Sequence, residues 1–389
     1  MSGVKMESIC NSTQCTGCGM CVSVCPKSAI SLKEKSTTGH FFPEINQELC
    51  VNCGLCQKKC PANKEIEFTM PQKAYVAWKK DALSQKGSSS GGVAAALYEK
   101  AIQKGWYIVG TVMDENLLPS LKLTNQAEDI ELFKGSKYVQ ANPKMVYKEV
   151  CAVIKEGHTV LFIGTPCQCQ AVKSIVGNHE KLYTVELICH GVPAQKIFKE
   201  YLSWIEEKKN KKVDNLSFRS SYGEELTLES NGKIIWKRKR PEDFYLTSFN
   251  DGIILNEACY QCKYANPKRS NDLTIGDFWG IGKFEPFKGP GRKVSVIAVN
   301  SEKGRKLLDE CDTLVCQERD YKEAVEGNSQ LKAPKHFHPQ YEAFWNAYKE
   351  AGIGEAIKAT IFKNVQKTYV TRTMKQIPKD IVKKILRRA

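Results

Sequence analysis

Apolar and polar residues change rhythm along this chain of 389 residues. Up to about residue 65 the sequence is dense in cysteine and has little periodicity, and Pro61 and Pro71 bracket a polar stretch that reads as a linker. From Ala74, short apolar runs alternate with amphipathic stretches. Strands are expected over 75–78, 106–113, 159–164 and 182–188, and helices over 88–104, 143–156, 167–175 and 193–208. Val93, Ala96, Leu97 and Ile102 mark the inward face of the first helix, and Val146, Val150, Val153 and Ile154 that of the second. Pro193 opens the last helix at its first turn. Such alternation argues for an α/β domain with a largely parallel sheet.

A β-rich section follows. Runs at 226–229 and 233–237 flank Asn231-Gly232, a type I′ hairpin signal, and further strands are expected over 272–277 and 293–300. Ser301 caps a helix running to about Cys311. The end of the chain reads as helical, and Ile381, Val382, Ile385 and Leu386 form an apolar stripe on a basic tail. That stripe suits docking on the protein body or lying on a membrane surface. The expected segments are residues 1–70, residues 71–340 in two parts (71–155 and 156–340), and a helical tail over 341–389.

Seventeen cysteines change the picture. The start, MSGVKMESIC, has no apolar h-region, so no secretory signal is expected. In a cytoplasmic setting thiols stay reduced, and metal or redox chemistry accounts for them better than disulfides do. Cys15-x2-Cys18-x2-Cys21-x3-Cys25-Pro26 is followed by Cys50-x2-Cys53-x2-Cys56-x3-Cys60-Pro61. This run resembles the bacterial ferredoxin pattern for two 4Fe–4S clusters. Three cysteines two residues apart lie on one tight loop and reach three irons, and the fourth, turned away by the proline, serves the other cluster. Cys15, Cys18, Cys21 and Cys60 are therefore expected on one cluster, and Cys50, Cys53, Cys56 and Cys25 on the other. Gly17, Gly19 and Gly54 suit loops where backbone closes on a cluster. Zinc also binds CxxC pairs, but it requires neither the third cysteine of each run nor the proline.

Further motifs lie in the larger part. Lys86-Gly87-Ser88-Ser89-Ser90-Gly91-Gly92 opens a helix and suits a phosphate as well as an ordinary serine cap. Phe133-Lys134-Gly135-Ser136-Lys137-Tyr138 adds two cations and an aromatic ring. Gly164-Thr165-Pro166-Cys167-Gln168 and Cys189-His190-Gly191 follow expected parallel strands, where open α/β sheets bind ligands. Cys259-x2-Cys262 and Ile275-Gly276-Asp277-Phe278-Trp279-Gly280 complete the set. Four thiols at strand ends and on a CxxC loop could converge on another cluster, although Cys169 competes with Cys167 and a plain buried-thiol reading stays open. Cys10, Cys151, Cys311 and Cys316 belong to no motif and read as core or inert thiols. His190 reads as a structural hydrogen-bonding residue or a proton donor.

Taken in order, SSSGGV, KGSKY, GTPCQ, CHGVP, CxxC and DLTIGDFWG resemble the family of beta subunits of coenzyme F-420 hydrogenases and formate dehydrogenases, over about residues 75–300. Many members of that family also carry an N-terminal two-cluster ferredoxin domain. The resemblance implies FAD and a third 4Fe–4S cluster. In members that use the deazaflavin coenzyme it implies hydride passage between that coenzyme and FAD; other members, including a chlorophyll-derivative reductase, reduce other acceptors. It implies that Ser89, Ser90, Gly91 and Gly92 hold the FAD pyrophosphate, and that Lys134, Ser136, Lys137 and Tyr138 contact phosphate, ribose or ring. Asp277, Phe278 and Trp279 would line the flavin site, and Cys167, Cys189, Cys259 and Cys262 would ligate the third cluster.

The expected fold is thus a small bacterial-ferredoxin-like dicluster domain, then a larger α/β flavin-binding domain and a helical tail (α+β overall). The expected function is an iron–sulfur flavoprotein oxidoreductase passing electrons between clusters and a small-molecule hydride donor or acceptor. A non-catalytic relay subunit of a larger redox complex and a zinc-stabilised binding module are the alternatives. The formal charge is +15; two or three thiolate-bound clusters bring it to roughly +9 to +11. That favours an acidic electron-carrier partner. The basic runs at 208–212 and 237–240 sit in no nucleic-acid module, and no apolar run is long enough for a transmembrane segment.

Overall fold

The computed structural model describes residues 6–220 and 223–376, with backbone alone for 374–376. The stripe expected at Ile381, Val382, Ile385 and Leu386 lies outside the described residues. In chain order, α1 (Met20–Val24), β1 (Ile30–Glu34), β2 (Phe41–Ile45) and α2 (Leu55–Lys59) build the cysteine-rich module. Then come β3 (Lys73–Lys79), α3 (Val93–Gln103), β4 (Tyr107–Met113), β5 (Pro119–Thr124), α4 (Ile130–Phe133), α5 (Val146–Lys155), β6 (Val160–Gly164), α6 (Pro166–Val176), β7 (Leu182–Leu187) and α7 (Gln195–Lys209). Next are β8 (Asn215–Ser220), β9 (Gly223–Ser230), β10 (Lys233–Lys239) and α8 (Phe244–Asp251). The chain continues with β11 (Leu273–Asp277), β12 (Ser295–Val299), α9 (Glu302–Asp309), β13 (Leu314–Arg319), α10 (Tyr321–Gly327), α11 (Tyr341–Ala359) and α12 (Phe362–Gln376).

Contacts divide the chain into two compact units: residues up to Lys196 with Leu255–His336, and Ile197–Ile254 with the residues from Phe337 onward. The first unit holds an eight-stranded sheet in the order β13-β3-β12-β11-β7-β6-β4-β5. Strands β11, β7, β6 and β4 run parallel. Antiparallel pairs flank them on both sides: β4 with β5, and β11 with β12, β12 with β3 and β3 with β13. The sheet is therefore mixed where a largely parallel one is expected. One reason is local: the chain turns straight back between β4 and β5, where the Leu117 amide bonds to the Asp114 carbonyl. Neither β5 nor β13 is foreseen: LVCQER lacks a clean two-residue alternation, whereas PSLKLT has one, but over only the five residues Ser120–Thr124.

Three helices start later than their patterns suggest, among them α5, which begins at Val146 and not at residue 143. α3 begins at Val93, not residue 88, because the chain first turns through Gly92 at φ 84°. A Cβ on Gly91 would sit 2.3 Å from the Ala77 carbonyl oxygen, so only glycine lets this loop close on β3. α7 begins at Gln195, leaving Pro193 outside the helix, in a β-bridge with Leu255.

Strand alternation sends neighbouring residues to opposite faces of the sheet. Ile108, Leu161 and Ile163 pack with α3 and α9 through Ala96, Leu97, Leu307 and Leu308. Val109, Val160 and Phe162 pack on the other face with α5 and α6 through Val150, Ile154 and Val172. The cysteine-rich module joins this second cluster through Met20, Cys21 and Ile30. Its β1 and β2 pair antiparallel, and α1 and α2 each start from a left-handed glycine, Gly19 and Gly54.

The second unit contains the antiparallel sheet β10-β9-β8. Asn231 and Gly232 both have positive φ, 49° and 69°, as a type I′ turn requires. The buried Asp243 carboxylate accepts bonds from Tyr201, Trp236 and the Leu246 amide, and burial pushes its pKa up. α11 is broken at Ala351 and Gly352, which have non-helical angles. No described helix is long and apolar enough to cross a membrane.

Candidate functional site

The first unit gathers the N-terminal cysteines into two cavities. Cys15, Cys18 and Cys21 line one together with Cys60. Cys50, Cys53 and Cys56 line the other together with Cys25. Gly17 and Gly19, expected to let backbone close on a cluster, line that first cavity and also make room for neighbours. A Cβ on Gly17 would lie 2.5 Å from the Phe41 carbonyl oxygen, and one on Gly19 2.5 Å from the Pro143 ring.

These cages fit an iron–sulfur cluster. Burial pushes the Cys18 thiol up to about 12 and raises Cys21 as well, so the thiolate forms of these two call for a cation beside them. A single ion fits less well. Zinc at about 2.3 Å from each sulfur would hold the sulfurs about 3.8 Å apart. Among the described residues no group of three or more His, Cys, Asp or Glu side chains is arranged to hold one metal ion. A cubane, with iron at four corners, spreads its thiolates wider. The Tyr147 hydroxyl is buried without a hydrogen-bond partner, and it lies in the field of Cys18, Cys167 and Cys169. It is a buried donor that protein acceptors do not satisfy.

A third group of thiols forms at the carboxyl edge of the parallel strands. Cys167 stands in the first turn of α6, behind Pro166 and a capping box between Thr165 and Gln168. Cys189 follows β7, and Cys259 and Cys262 lie around a short turn capped by Asn256. Cys259 lies in the field of the other three thiols. Burial pushes Cys189 up to about 12 and Cys262 up to about 11. Cys169 does not compete: it is fully buried, and its Sγ is directed to the carbonyls of Val185 and Gly164, at 3.6 and 3.8 Å.

Among the cysteines outside any motif, Cys311 is buried, Cys151 half-buried and Cys316 exposed on β13. Cys10 departs from the inert reading. It lines the first cavity beside Cys15 and Cys60, and its thiol is the main cause that lowers the Cys60 thiol to about 6.

The cavity of Cys15, Cys18, Cys21 and Cys60 is closed by the CxxC loop: Gln261, Cys262, Lys263 and Tyr264 line it too. The Lys263 ammonium donates to the carbonyls of Pro61, Ala62 and Lys64 at 2.8, 3.3 and 3.0 Å. Gln261 donates to the Thr13 carbonyl at 2.8 Å, and Lys35 pairs with Glu257 at 2.6 Å. On another side Gln140 accepts from the Phe41 amide and donates to the Thr16 carbonyl. His40 bonds Thr38 and the Val192 carbonyl, both at 3.0 Å, and burial lowers its pKa to about 4. Sequence reasoning misses Lys263, Gln140 and His40. Only Lys263, beside Cys262, carried any local signal.

The motifs attributed to a flavin collect along the same edge. Ser136 donates to Ser89 at 2.8 Å, joining the KGSKY and SSSGG loops. Ser90 donates to the Val294 carbonyl and Ser295 accepts from the Gly91 amide, each at 2.9 Å. Ser295 pairs in register with Asp277 across β12 and β11. Phe278 is buried with Val76 and Trp78, while Trp279 is 59% exposed. Lys137 turns inward: its ammonium donates to the carbonyls of Phe133, Lys134 and Gly135, and burial lowers it to about 8. Lys134 pairs with Glu131 at 2.5 Å. His190 Nδ1 meets the Gln330 amide.

Two thiol cages of this kind, built onto a mixed α/β sheet, define an iron–sulfur electron-transfer protein. Residues 14–64 match the 4Fe-4S dicluster domain, and residues 157–323 match the family described as the C terminus of the coenzyme F420 hydrogenase/dehydrogenase beta subunit. The chain thus carries that C-terminal domain behind a dicluster domain. It is 27% identical over 218 residues to an F(420)H(2) dehydrogenase subunit of Methanosarcina mazei, covering 51% of this chain and 61% of the relative. It is 27% identical over 203 residues to an uncharacterized protein of Methanocaldococcus jannaschii, covering 45% and 56%. The chain therefore spans less than two thirds of either relative. A solved chain of the F420-reducing NiFe hydrogenase complex from Methanosarcina barkeri aligns with a TM-score of 0.45 at 17% identity, over 79% of this chain and 94% of that one.

Proposed function

We propose that the chain is an iron–sulfur flavoprotein oxidoreductase. Cys15, Cys18, Cys21 and Cys60 hold one cluster, Cys50, Cys53, Cys56 and Cys25 a second, and Cys167, Cys189, Cys259 and Cys262 a third. Ser89, Ser90, Gly91 and Gly92 with Ser136 hold FAD. When bound, the clusters carry single electrons and the flavin exchanges a hydride for two of them. The division into residues 1–70, 71–340 and 341–389 belongs to the same proposal, as does a reducing, cytoplasmic setting.

One observation carries the reading: Cys262 lines the cavity of Cys15, Cys18, Cys21 and Cys60. The CxxC loop thus brings a ligand of the third set to the wall of the first cage. Lys263 and Gln261 fix that loop by bonds to Pro61 and Thr13, and Tyr264, 5% exposed, fills the wall and excludes water. At the sheet edge, Gly91 brings backbone amides close to β3 and β12, and the two serine loops meet there. Lys137 contributes by ordering its own loop rather than by direct contact with a ligand.

The hydride partner is proposed to be a small molecule, a deazaflavin among the candidates, and the electron partner an acidic carrier or a redox-complex subunit. A relay subunit without its own hydride chemistry is the second reading, favoured by the relative named as a dehydrogenase subunit. Iron, acid-labile sulfide and flavin, measured per chain after anaerobic purification, decide between them. About twelve irons with one FAD is the expected result, and about eight with no flavin favours the relay. Iron-free protein loaded with zinc overturns both.

A further inference from the structure

Glu186 and Arg269 form an ion pair inside the first unit, 1% and 2% exposed, with Arg269 Nε 2.5 Å from Glu186 Oε1. Glu186 stands on β7, in register with Gly164 of β6 and Thr274 of β11. Cys189 follows Glu186 by three residues, and Cys167 follows Gly164 by three. The carboxylate also accepts from Asn271 and Thr274, at 2.5 and 2.8 Å. Arg269 reaches the loop behind Cys259 and Cys262: its Nη1 donates to the carbonyls of Tyr264 and Asn266, both at 2.9 Å. One pair of side chains thus ties the CxxC loop to the strand that leads into Cys189, level with the strand that leads into Cys167.

A buried ion pair gives a fold little net stability, because both charges leave water, and apolar side chains of similar size would fill the same space. Apolar side chains would not hold carbonyls. Residues 263–268 form neither helix nor strand, so the seat of this loop depends on side chains that reach its backbone. Lys263 ties it to the dicluster module, and Tyr321 of α10 donates to the Pro267 carbonyl at 3.0 Å. Arg269 ties it to β7. We propose that Glu186 and Arg269 are positioning residues, which seat the CxxC loop so that Cys259 and Cys262 share one 4Fe–4S cluster with Cys167 and Cys189. The inference rests on the reading of these four thiols as ligands of a third cluster. Such ligands must be held to within about 0.5 Å, a tolerance that an untethered loop does not meet.

Three variants of the full chain, purified without oxygen, test this: Glu186→Gln, Arg269→Lys, and a double variant carrying Glu186→Met and Arg269→Met. Iron and acid-labile sulfide are counted, cluster signals are read by electron paramagnetic resonance after reduction, and denaturant midpoints are taken on the same samples. Glu186→Gln leaves a buried guanidinium unpaired and lowers the denaturant midpoint. The double variant regains that midpoint but carries about four fewer irons than the wild type, with the signals of the two N-terminal clusters intact. Arg269→Lys keeps the charge but cannot span the carboxylate and both carbonyls, so its third signal is altered or weakened. An unchanged third signal, in Arg269→Lys or in the double variant, overturns the proposal. Loss of iron from all three sites in a folded double variant also overturns it, because the pair then serves the whole unit. Should the double variant fail to fold, Arg269→Lys decides alone. Wild-type protein with about eight irons and two signals sinks the third-cluster reading instead, so the two failures are told apart.

Discussion

The Lys263 ammonium donates to the Pro61 carbonyl at 2.8 Å, and so joins the residue after Cys262 to the residue after Cys60. Two bonded neighbours of proposed cluster ligands, 202 positions apart in sequence, are held by one side chain. Lys263→Ala removes three charge-assisted bonds. Because the ammonium is largely exposed, the expected loss is about 1–2 kcal/mol. Denaturant unfolding measures that loss. Iron content should stay at the wild-type level, while electron passage from the module to an added acceptor slows. Full-rate transfer in the variant would remove Lys263 from the path.

The exchange of fourth cysteines predicts a pairing of phenotypes. Cys60→Ala and Cys21→Ala should lose the same cluster signal, although they fall in different motifs. Cys25→Ala and Cys53→Ala should lose the other. Each variant is expected to carry about four fewer irons. If Cys60→Ala instead matches Cys53→Ala in its resonance spectrum, each motif closes its own cage.

His40 predicts a pH dependence of stability. Its pKa falls to about 4 in the fold from an ordinary value near 6.5, because burial disfavours the charged ring. The unfolded chain therefore binds more protons between those values. Stability is complete above about pH 6.5 and is lost as pH falls toward 4, by about 3 kcal/mol over the window. His40→Gln, which can still donate to the Val192 carbonyl, should flatten this dependence. Chemical unfolding at pH 5, 6 and 7 would show it, and an unchanged slope in the variant would assign the effect elsewhere.

Gly91 predicts a localised loss. A Cβ there would meet the Ala77 carbonyl oxygen at 2.3 Å and the Ser295 amide nitrogen at 2.8 Å, both backbone atoms that cannot rotate away. Gly91→Ala should push the serine loop off β3 and reduce flavin content at least tenfold, about 1.4 kcal/mol or more in binding. The iron of the two N-terminal cages should be untouched. Flavin fluorescence after acid release, measured beside iron, gives both values. Undiminished flavin would move its site away from this loop.

Much was legible in the residue order. The eight cysteines of the two motifs declared themselves because three thiols within seven residues already define a cage. Asn231-Gly232 marked its hairpin because both residues tolerate positive φ. The strands β4, β6, β7 and β11 showed in their apolar runs, and the helices α5, α6 and α9 in their apolar spacing. These features depend on neighbours a few residues away, and such neighbours are visible in sequence.

Other features were settled only by long-range packing. The short strands β5 and β13 became sheet edges because β4 and β3 offered unpaired backbone. Lys137, a cation in a ligand-binding motif by sequence, folded onto three carbonyls of its own loop. Cys10, a core or inert thiol by sequence, came to line the cavity of Cys15 and Cys60. Cys262 came to line the first cage through Lys263, Gln261 and the Lys35–Glu257 pair, all acting across some two hundred residues. Spacing along the chain determines which thiols can share one loop. Which loops face each other follows from the burial of two sheet faces, and that depends on the whole core at once.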